Sequence, residues 1–537
     1  MGALALRAGR QGRHREEIGG RVDVPGAGKR RLAGLTRTAG PWVCVVVVTG
    51  LMLGCTKSAS KAPGTSSRGS GDVVDVTFLQ MNDVYEITPV AGGTEGGMAR
   101  VATLRNQLLK ENPNTFTILA GDLLSPSALG TAMVDGQRLA GKQMVDVMNA
   151  VGLNYATFGN HEFDLNRDQL TQRLSESKFT WFSSNVTNAQ GQPLPNVPTN
   201  TIFTAKNSAG KGVRIGLFGL TINSNPTTDV AYRDPITVAK EQVAALRNQV
   251  DVLVAVTHLN LATDVALAQE VPGIDLILGG HEHENDQVDR GTNFTPIFKA
   301  DANARSVYVH RLRYDTASKK LEIDSKLQPI TSQFTDDPKV AAVVQRWVDA
   351  AYAGFKDQGF DPTAVVATTS TELDGEESSV RNKPTALTDL VARSMLHAAP
   401  GTQIAIFNSG SIRIDDVLPP GKITQYDVIR TLPFGDTILS ADIQGSLLER
   451  VLDQGQANAG TGGYLQTAGV TRNPAGTAWL VNGAPIRATA TYKVAINSFL
   501  LTGKEMHLDY LIRTNPAIGN VVEHDDLRIA MIAELQR

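Results

Sequence analysis

The sequence predicts an α/β protein in two domains, and three observations carry that expectation. At 537 residues the chain is longer than one hydrophobic core usually serves. From Val73 to about Gln328, short apolar runs rich in β-branched and aromatic residues alternate with stretches of helical periodicity. A second alternation of the same kind runs from Val365 to Arg537. Composition, at 42% hydrophobic and 20% charged, is that of an ordinary globular protein and excludes general disorder.

Residues 1–54 read as an export signal. The first 40 residues carry nine Lys or Arg against three acids, and an uncharged, mostly apolar stretch of 13 residues follows from Trp42 to Gly54. That stretch falls short of the roughly 20 residues a membrane-spanning helix needs. Leu53-Gly54-Cys55 is similar to a bacterial lipobox, with Met52 where Leu is usual. Cleavage before Cys55 and acylation of that cysteine are therefore expected, with a lipid anchor to the membrane and a periplasmic or cell-surface location. The alternative is a plain cleaved signal with an incidental cysteine. Cys44 and Cys55 are the two cysteines of the chain, and the first would leave with the signal, so no disulfide is expected in the mature protein. Removing residues 1–54 takes the formal charge from −3 to −9, which argues against a nucleic-acid polymer as partner. The oligomeric state is not legible in the sequence.

Residues 55–72 are rich in Ser, Gly, Lys and Ala without an apolar period and read as a flexible tether. The first domain is expected over 73–335. Its strands are predicted at Val73–Gln80, Thr115–Ala120, Val213–Leu220, Val252–Val256 and Ile274–Leu278. Helices are predicted at Met98–Lys110, Lys142–Val151, Asn166–Glu176 and Val238–Gln249. A helix over Pro338–Phe355, within a connecting segment 336–360, is expected to lead into a second domain over 361–537.

Five polar motifs follow strand-like runs in the first domain: Asn82-Asp83-Val84-Tyr85, Gly121-Asp122, Gly159-Asn160-His161-Glu162, Thr257-His258 and Gly280-His281-Glu282-His283. In open α/β sheets ligands collect beyond the carboxyl ends of strands. Asp, Asn and His supply the oxygen and nitrogen donors that Zn²⁺, Mn²⁺ and Fe ions accept, so the set predicts a two-metal hydrolytic centre. Any one motif alone is better explained as turn chemistry or a structural histidine. Five in register reverse that balance.

The order of these motifs resembles the calcineurin-like metallophosphoesterases. The downstream half narrows the resemblance to the bifunctional metallophosphatase/5′-nucleotidase family. It implies a sandwich of two mixed sheets flanked by helices, followed by an α/β 5′-nucleotidase C-terminal domain. It also implies two divalent or trivalent ions of Zn, Mn or Fe. One would be held by Asp83, Asp122 and His283, the other by Asp122, Asn160, His258 and His281, with Asp122 bridging. His161, oriented by Asp164, looks like the non-ligand histidine that stabilises the transition state or protonates the leaving group. Tyr85 stands where the family usually has His, and a neutral phenol is a poor ligand for Zn²⁺ or Mn²⁺. Three arrangements stay open: a tyrosinate on a ferric ion, a site completed by water or Glu86, or a centre with one firmly held metal. The expectation is a working two-metal site with an altered first position.

In the second half, Asn408-Ser409-Gly410-Ser411-Ile412-Arg413, Leu432-Pro433-Phe434-Gly435-Asp436-Thr437 and Asn497-Ser498-Phe499-Leu500 resemble the substrate-binding motifs of the same family. By that resemblance Phe434 and Phe499 clamp a base, Arg413 and Arg381 hold phosphate and sugar, and Asn408 bonds the base edge. Glu505 stands where an acid grips ribose, although the usual Gly-Gly-Asp-Gly has become Gly503-Lys504-Glu505-Met506. The resemblance implies phosphate release from nucleoside 5′-monophosphates or related nucleotides by attack of metal-bound water. Nucleoside 2′,3′-cyclic phosphates and nucleotide sugars are accommodated by the same machinery. Two rival readings are a thiohydrolase acting on a sulfur carrier protein and a non-catalytic nucleotide-binding surface lipoprotein.

Overall fold

The computed structural model describes residues 71–225, 227–289 and 295–537. The expected export signal, Cys55 and nearly all of the tether lie outside the described residues. Among those described, no helix is long and apolar enough to cross a membrane.

Two six-stranded sheets form the first half. One is ordered 320–329, 306–315, 73–81, 115–120, 155–157, 180–181, with its last four strands parallel. The other is ordered 200–206, 212–221, 252–258, 276–279, 297–299, 286–288, with four parallel strands between antiparallel edges. The period-two alternation of a strand sorts its side chains between layers. Val74, Val76 and Phe78 join Val252, Val254 and Val256 between the sheets. Leu79 and Met81 turn the other way, under the helices Met98–Glu111 and Lys142–Val151. Leu253 and Ala255 face Pro235–Leu246 and Leu261–Glu270. Both sheets are thus buried on two faces, which is why their strands read as near-continuous apolar runs.

The helix predicted from Val238 begins at Pro235. Asp234 caps it by accepting from the Thr237 amide, and Pro235 fills the first turn, where its missing N–H costs nothing. The helix expected to connect the halves spans Pro338–Asp357 and buries Val340, Ala351 and Phe355 in the core of the first half. Its Trp347 indole donates to Asp146 at 2.9 Å, and Tyr352 meets Tyr426 of the second half with ring centroids 5.0 Å apart. The second half has a five-stranded sheet ordered 465–468, 404–408, 491–497, 437–444, 518–526. The helices Ala386–Ala398 and Leu527–Leu535 cover one face and Gly445–Ala457 the other.

One core histidine is structural. His310 is fully buried between Gln80 Oε1, 2.8 Å from its Nε2, and Ser325 Oγ, 2.8 Å from its Nδ1. The Gln80 amide nitrogen already donates to the carbonyls of Gly279 and Phe298, so Nε2 carries the hydrogen and the ring is neutral. Burial pushes its pKa down to about 3. In the unfolded chain the same ring takes a proton near 6.5, so below that pH protons favour unfolding, and stability is lost progressively toward pH 3. The expected cost between pH 7 and pH 5 is about 2 kcal/mol. His310→Gln should therefore melt below the parent at pH 7, with the gap narrowing at pH 5. A gap that stays constant would show that His310 is not the group responsible.

Candidate metal centre and nucleotide subsite

All five motifs sit at the carboxyl ends of parallel strands, drawn from both sheets. Asp83 follows Val73–Met81, Asp122 follows Thr115–Ala120, Asn160 follows Tyr155–Thr157, His258 ends Val252–His258, and His281 and His283 follow Leu276–Gly279. Asp83, Asp122 and His281 hold left-handed backbone, with φ of 51°, 55° and 83°. Such positions cost about 1–3 kcal/mol each and persist only where the surroundings over-determine them. The neighbouring glycines permit the crowding. A Cβ on Gly159 would lie 2.0 Å from Asp122 Oδ1, and one on Gly121 would lie 2.4 Å from His258 Nδ1.

Glu162 ties two of these loops together. Its Oε1 accepts from the amides of Leu123 (2.6 Å) and Leu124 (3.0 Å), and its Oε2 from those of Gly159 (2.6 Å) and Asp122 (3.1 Å). Burial, and then the Asp122 charge, push its pKa up to about 7 against the amides of Leu123, Leu124 and Gly159. Four N–H groups face two oxygens, which is the arrangement an ionised carboxylate fits. Glu162→Gln would turn an NH₂ toward backbone donors, and should cost about 3 kcal/mol or more and weaken metal retention. Thermal melting with metal analysis checks this; unchanged values would show the bonds to be dispensable.

Asp83, Asp122 and His258 are buried, and each offers a donor atom within 4.8 Å of the others. His258 Nδ1 donates to the Ala120 carbonyl at 2.9 Å, which points Nε2 into the cluster, 3.3 Å from Asp122 Oδ2. That Nε2 and Asn160 Oδ1 are buried with no hydrogen-bond partner among the described residues. Unmade bonds on an imidazole nitrogen and an amide oxygen, beside a carboxylate, fit a cation. Burial opposes a charged His258 ring, but Asp122 and Asp83 raise its pKa to about 9. A cation shared by those carboxylates would displace that proton. His281 packs against His258 with ring centroids 5.3 Å apart, and burial, then the His258 charge, hold it neutral, as a ligand must be.

Tyr85 also converges on this cluster. Its hydroxyl lies 2.9 Å from Asp122 Oδ2, 3.2 Å from Asp83 Oδ1 and 3.2 Å from His283 Nε2. One phenolic proton faces three candidate partners, so it cannot make a full hydrogen bond to each. Spacings of about 3 Å are also those of neighbouring donors around an ion with bonds of about 2.0–2.2 Å. Tyr85 thus stands beside the Asp83, Asp122 and His258 group, in the place of the expected imidazole. Burial, then Asp122 and Asp83, keep the phenol protonated well above its ordinary range without an ion. Glu86 does not complete the site as one sequence-based alternative allowed, because its carboxylate is engaged by Arg430 at 3.4 Å. Arg430 also pairs with Asp416 at 3.2 Å, and Asp416 accepts from the Ala91 amide at 3.0 Å, so this buried network docks the two halves.

His161 lies beside the cluster, with its amide on Asp122 Oδ1 at 2.9 Å. Its Nδ1 is 2.8 Å from Asp164 Oδ2, and Arg413 of the second half donates to its Nε2 at 3.0 Å. Arginine has no acceptor, so here Nε2 accepts and Nδ1 carries the hydrogen toward Asp164. Asp164 is braced by Ser125 Oγ (3.0 Å) and Asn225 Nδ2 (2.7 Å). Arg413 and Arg381 converge on Glu377, and Glu505 accepts from the Met506 amide at 2.8 Å. Asn408 Oδ1 is held by Ser411 (2.7 Å) and Asn497 (3.0 Å). Phe434 is 48% exposed and Phe499 half-buried, so neither has the full burial of a core aromatic. Asn225, Glu377 and Asp415 were missed by the sequence reading. Glu377 could have been suspected from its place one helical turn before Arg381, and Asp415 from following Arg413 by two residues; Asn225 carries no comparable signal.

This fold, with carboxylate, amide and imidazole donors gathered at its strand ends, defines a metal-dependent phosphoester hydrolase. Residues 76–285 match the calcineurin-like phosphoesterase family, whose centres are dinuclear, and residues 365–510 match the 5′-nucleotidase C-terminal domain. The chain belongs to the bifunctional metallophosphatase/5′-nucleotidase family. Trifunctional nucleotide phosphoesterase protein YfkN of Bacillus subtilis is 28% identical over 513 residues, which cover 85% of this chain and 33% of that protein's length. The 5′-nucleotidase of Bos taurus is 26% identical over 494 residues, covering 80% of this chain and 83% of the relative. The structure of the 5′-nucleotidase precursor from Thermus thermophilus superposes with a TM-score of 0.72 at 24% identity, covering 86% of this chain and 96% of that one, and shows the same fold.

Proposed function

We propose that the protein is an exported, lipid-anchored 5′-nucleotidase that releases phosphate from nucleoside 5′-monophosphates or related nucleotides. The observation that carries this reading is the contact of Arg413 with His161: the half that would grip a nucleotide presents its guanidinium at the histidine beside the donor cluster. Asp83, Asp122, His283 and Tyr85 would hold one ion, and Asp122, Asn160, His258 and His281 the other. Two ions there would acidify a water and neutralise phosphoryl oxygens.

The chain's own residues supply the rest. Arg413 and Arg381 offer planar forks of donors suited to a phosphate dianion, and in the free protein Glu377 keeps both in place. Phe434 and Phe499 offer aromatic faces on which a base can stack with little discrimination. Asn408, fixed by Ser411 and Asn497, presents its amide to the base, and Glu505 beside it can take ribose hydroxyls. Asp164 fixes the ring of His161, so that protonated Nε2 can donate to the ester oxygen as its bond to phosphorus breaks. The Cys55 anchor would keep this chemistry at the membrane surface.

The test is a panel of AMP, a nucleoside 2′,3′-cyclic phosphate, a nucleotide sugar and a thiol-conjugated carrier peptide, given to purified protein before and after chelation. Chelator-sensitive phosphate release from AMP is expected. Turnover of the peptide alone, or of nothing, would overturn the reading in favour of one of the two rivals.

A further inference from the structure

The outer partner of His283 comes from the other half of the molecule. His283 Nε2 faces the donor cluster, 3.2 Å from Tyr85 Oη and 3.6 Å from Asp83 Oδ1. Its Nδ1 points the opposite way and lies 2.8 Å from Asp415 Oδ2. Glu377 Oε2 is farther from the same nitrogen, at 3.5 Å. Asp415 is itself fixed: it is buried, its Oδ1 accepts from the Glu377 amide at 3.0 Å, and its carbonyl accepts from the Arg305 guanidinium. Such fixing gives the carboxylate one direction in which to act, and His283 stands in it.

An imidazole that binds a metal through one nitrogen usually donates its other N–H to a carboxylate or carbonyl, which sets the tautomer and raises the basicity of the ligating atom. His258 meets that requirement with the carbonyl of Ala120, inside its own half. His283 meets it with a carboxylate that lies 132 residues away, two positions after Arg413. We infer that Asp415 is a positioning residue for the first metal: it takes the Nδ1 hydrogen of His283, leaves Nε2 free to ligate, and holds the ring against Asp83 and Tyr85. This rests on the reading of His283 as a ligand. The segment Arg413-Ile414-Asp415 then serves both sides of the centre, with Arg413 on His161 and Asp415 on His283.

The inference is tested by metal binding alone, without turnover. The full chain is stripped of metal and dialysed against graded Mn²⁺, and ions per chain are counted by mass spectrometry. The parent should bind two ions. Asp415→Asn keeps an oxygen for the Glu377 amide, and Asn tolerates the left-handed φ of 41° at this position, so the variant should fold. It should bind one ion with parental affinity and the other about 10–100-fold more weakly. Asp415→Glu, which restores a carboxylate, should recover part of the loss. Two ions bound at parental affinity by Asp415→Asn would overturn the inference while leaving the metal reading intact. Equal weakening of both ions, or no recovery with Glu, would also overturn it. A parent that binds fewer than two ions would overturn the two-metal reading and the inference with it.

Discussion

Asp122→Ala should lower kcat/KM for a nucleoside monophosphate by about 10³-fold or more, corresponding to about 4 kcal/mol or more of transition-state stabilisation, the several kcal/mol that metal-ion charge stabilisation supplies. The size follows from how many groups the one carboxylate serves. Its Oδ2 lies 2.9 Å from Tyr85 Oη and 3.3 Å from His258 Nε2, and its Oδ1 accepts the amide of His161 at 2.9 Å. Burial disfavours its charge, yet His258 and His161 hold the carboxyl ionised, well below the usual range. Removing it leaves those groups around an uncompensated hole and takes away the oxygen both ions would share. Metal content should fall together with rate. Asp122→Asn keeps the shape but not the charge and should recover only part of either. Parental metal content and rate in Asp122→Ala would mean that the centre is not built on this residue.

How much of this was legible before the structure depended on the range over which each residue acts. Strands such as Thr115–Ala120 announce themselves because both faces are buried and every position is free to be apolar. Tyr155–Thr157 is three residues long and leaves no periodic signal, although it positions Asn160. The expected ligand set stood out because five separate polar motifs lie at or just beyond strand ends, a recurrence that turn chemistry alone does not explain. Glu162 was visible as part of a motif, but its work is on the amides of Leu123, Leu124, Gly159 and Asp122, and backbone donors carry no mark in a sequence. Asn225 lies in a polar loop with no flanking apolar run, and its partners His161 and Asp164 are about 60 residues away. Glu86 shows the opposite failure. Proximity to Tyr85 in sequence made it a candidate for the centre, whereas a buried acid must find its counter-charge, and Arg430 provides it from the second half. Burial, opposed chiefly by Arg430, raises the pKa of Glu86 above the ordinary carboxylate value.

His161→Gln should lower kcat for a nucleoside 5′-monophosphate by about 10²–10⁴-fold, the usual contribution of a positioned general acid. Unlike the Asp122 change, it should leave two ions per chain, since no ring atom of His161 is placed among the donors. The geometry separates the two roles open to this side chain. If Nε2 delivers a proton to the ester oxygen, the loss depends on how much that oxygen needs it: large for the alkoxide of a nucleoside, small for p-nitrophenolate, which departs without help. If the ring only stabilises charge around phosphorus, both substrates lose alike. Asp164, 2.8 Å from Nδ1, predicts the first outcome, because a carboxylate there takes the Nδ1 hydrogen bond and so fixes the direction in which Nε2 faces. Asp164→Asn should then reproduce a smaller part of the same substrate-dependent loss, since an amide oxygen there can still accept from Nδ1. Equal losses for nucleotide and p-nitrophenyl phosphate would rule out proton delivery by His161 and leave the ring as an electrostatic contact to the phosphoryl group.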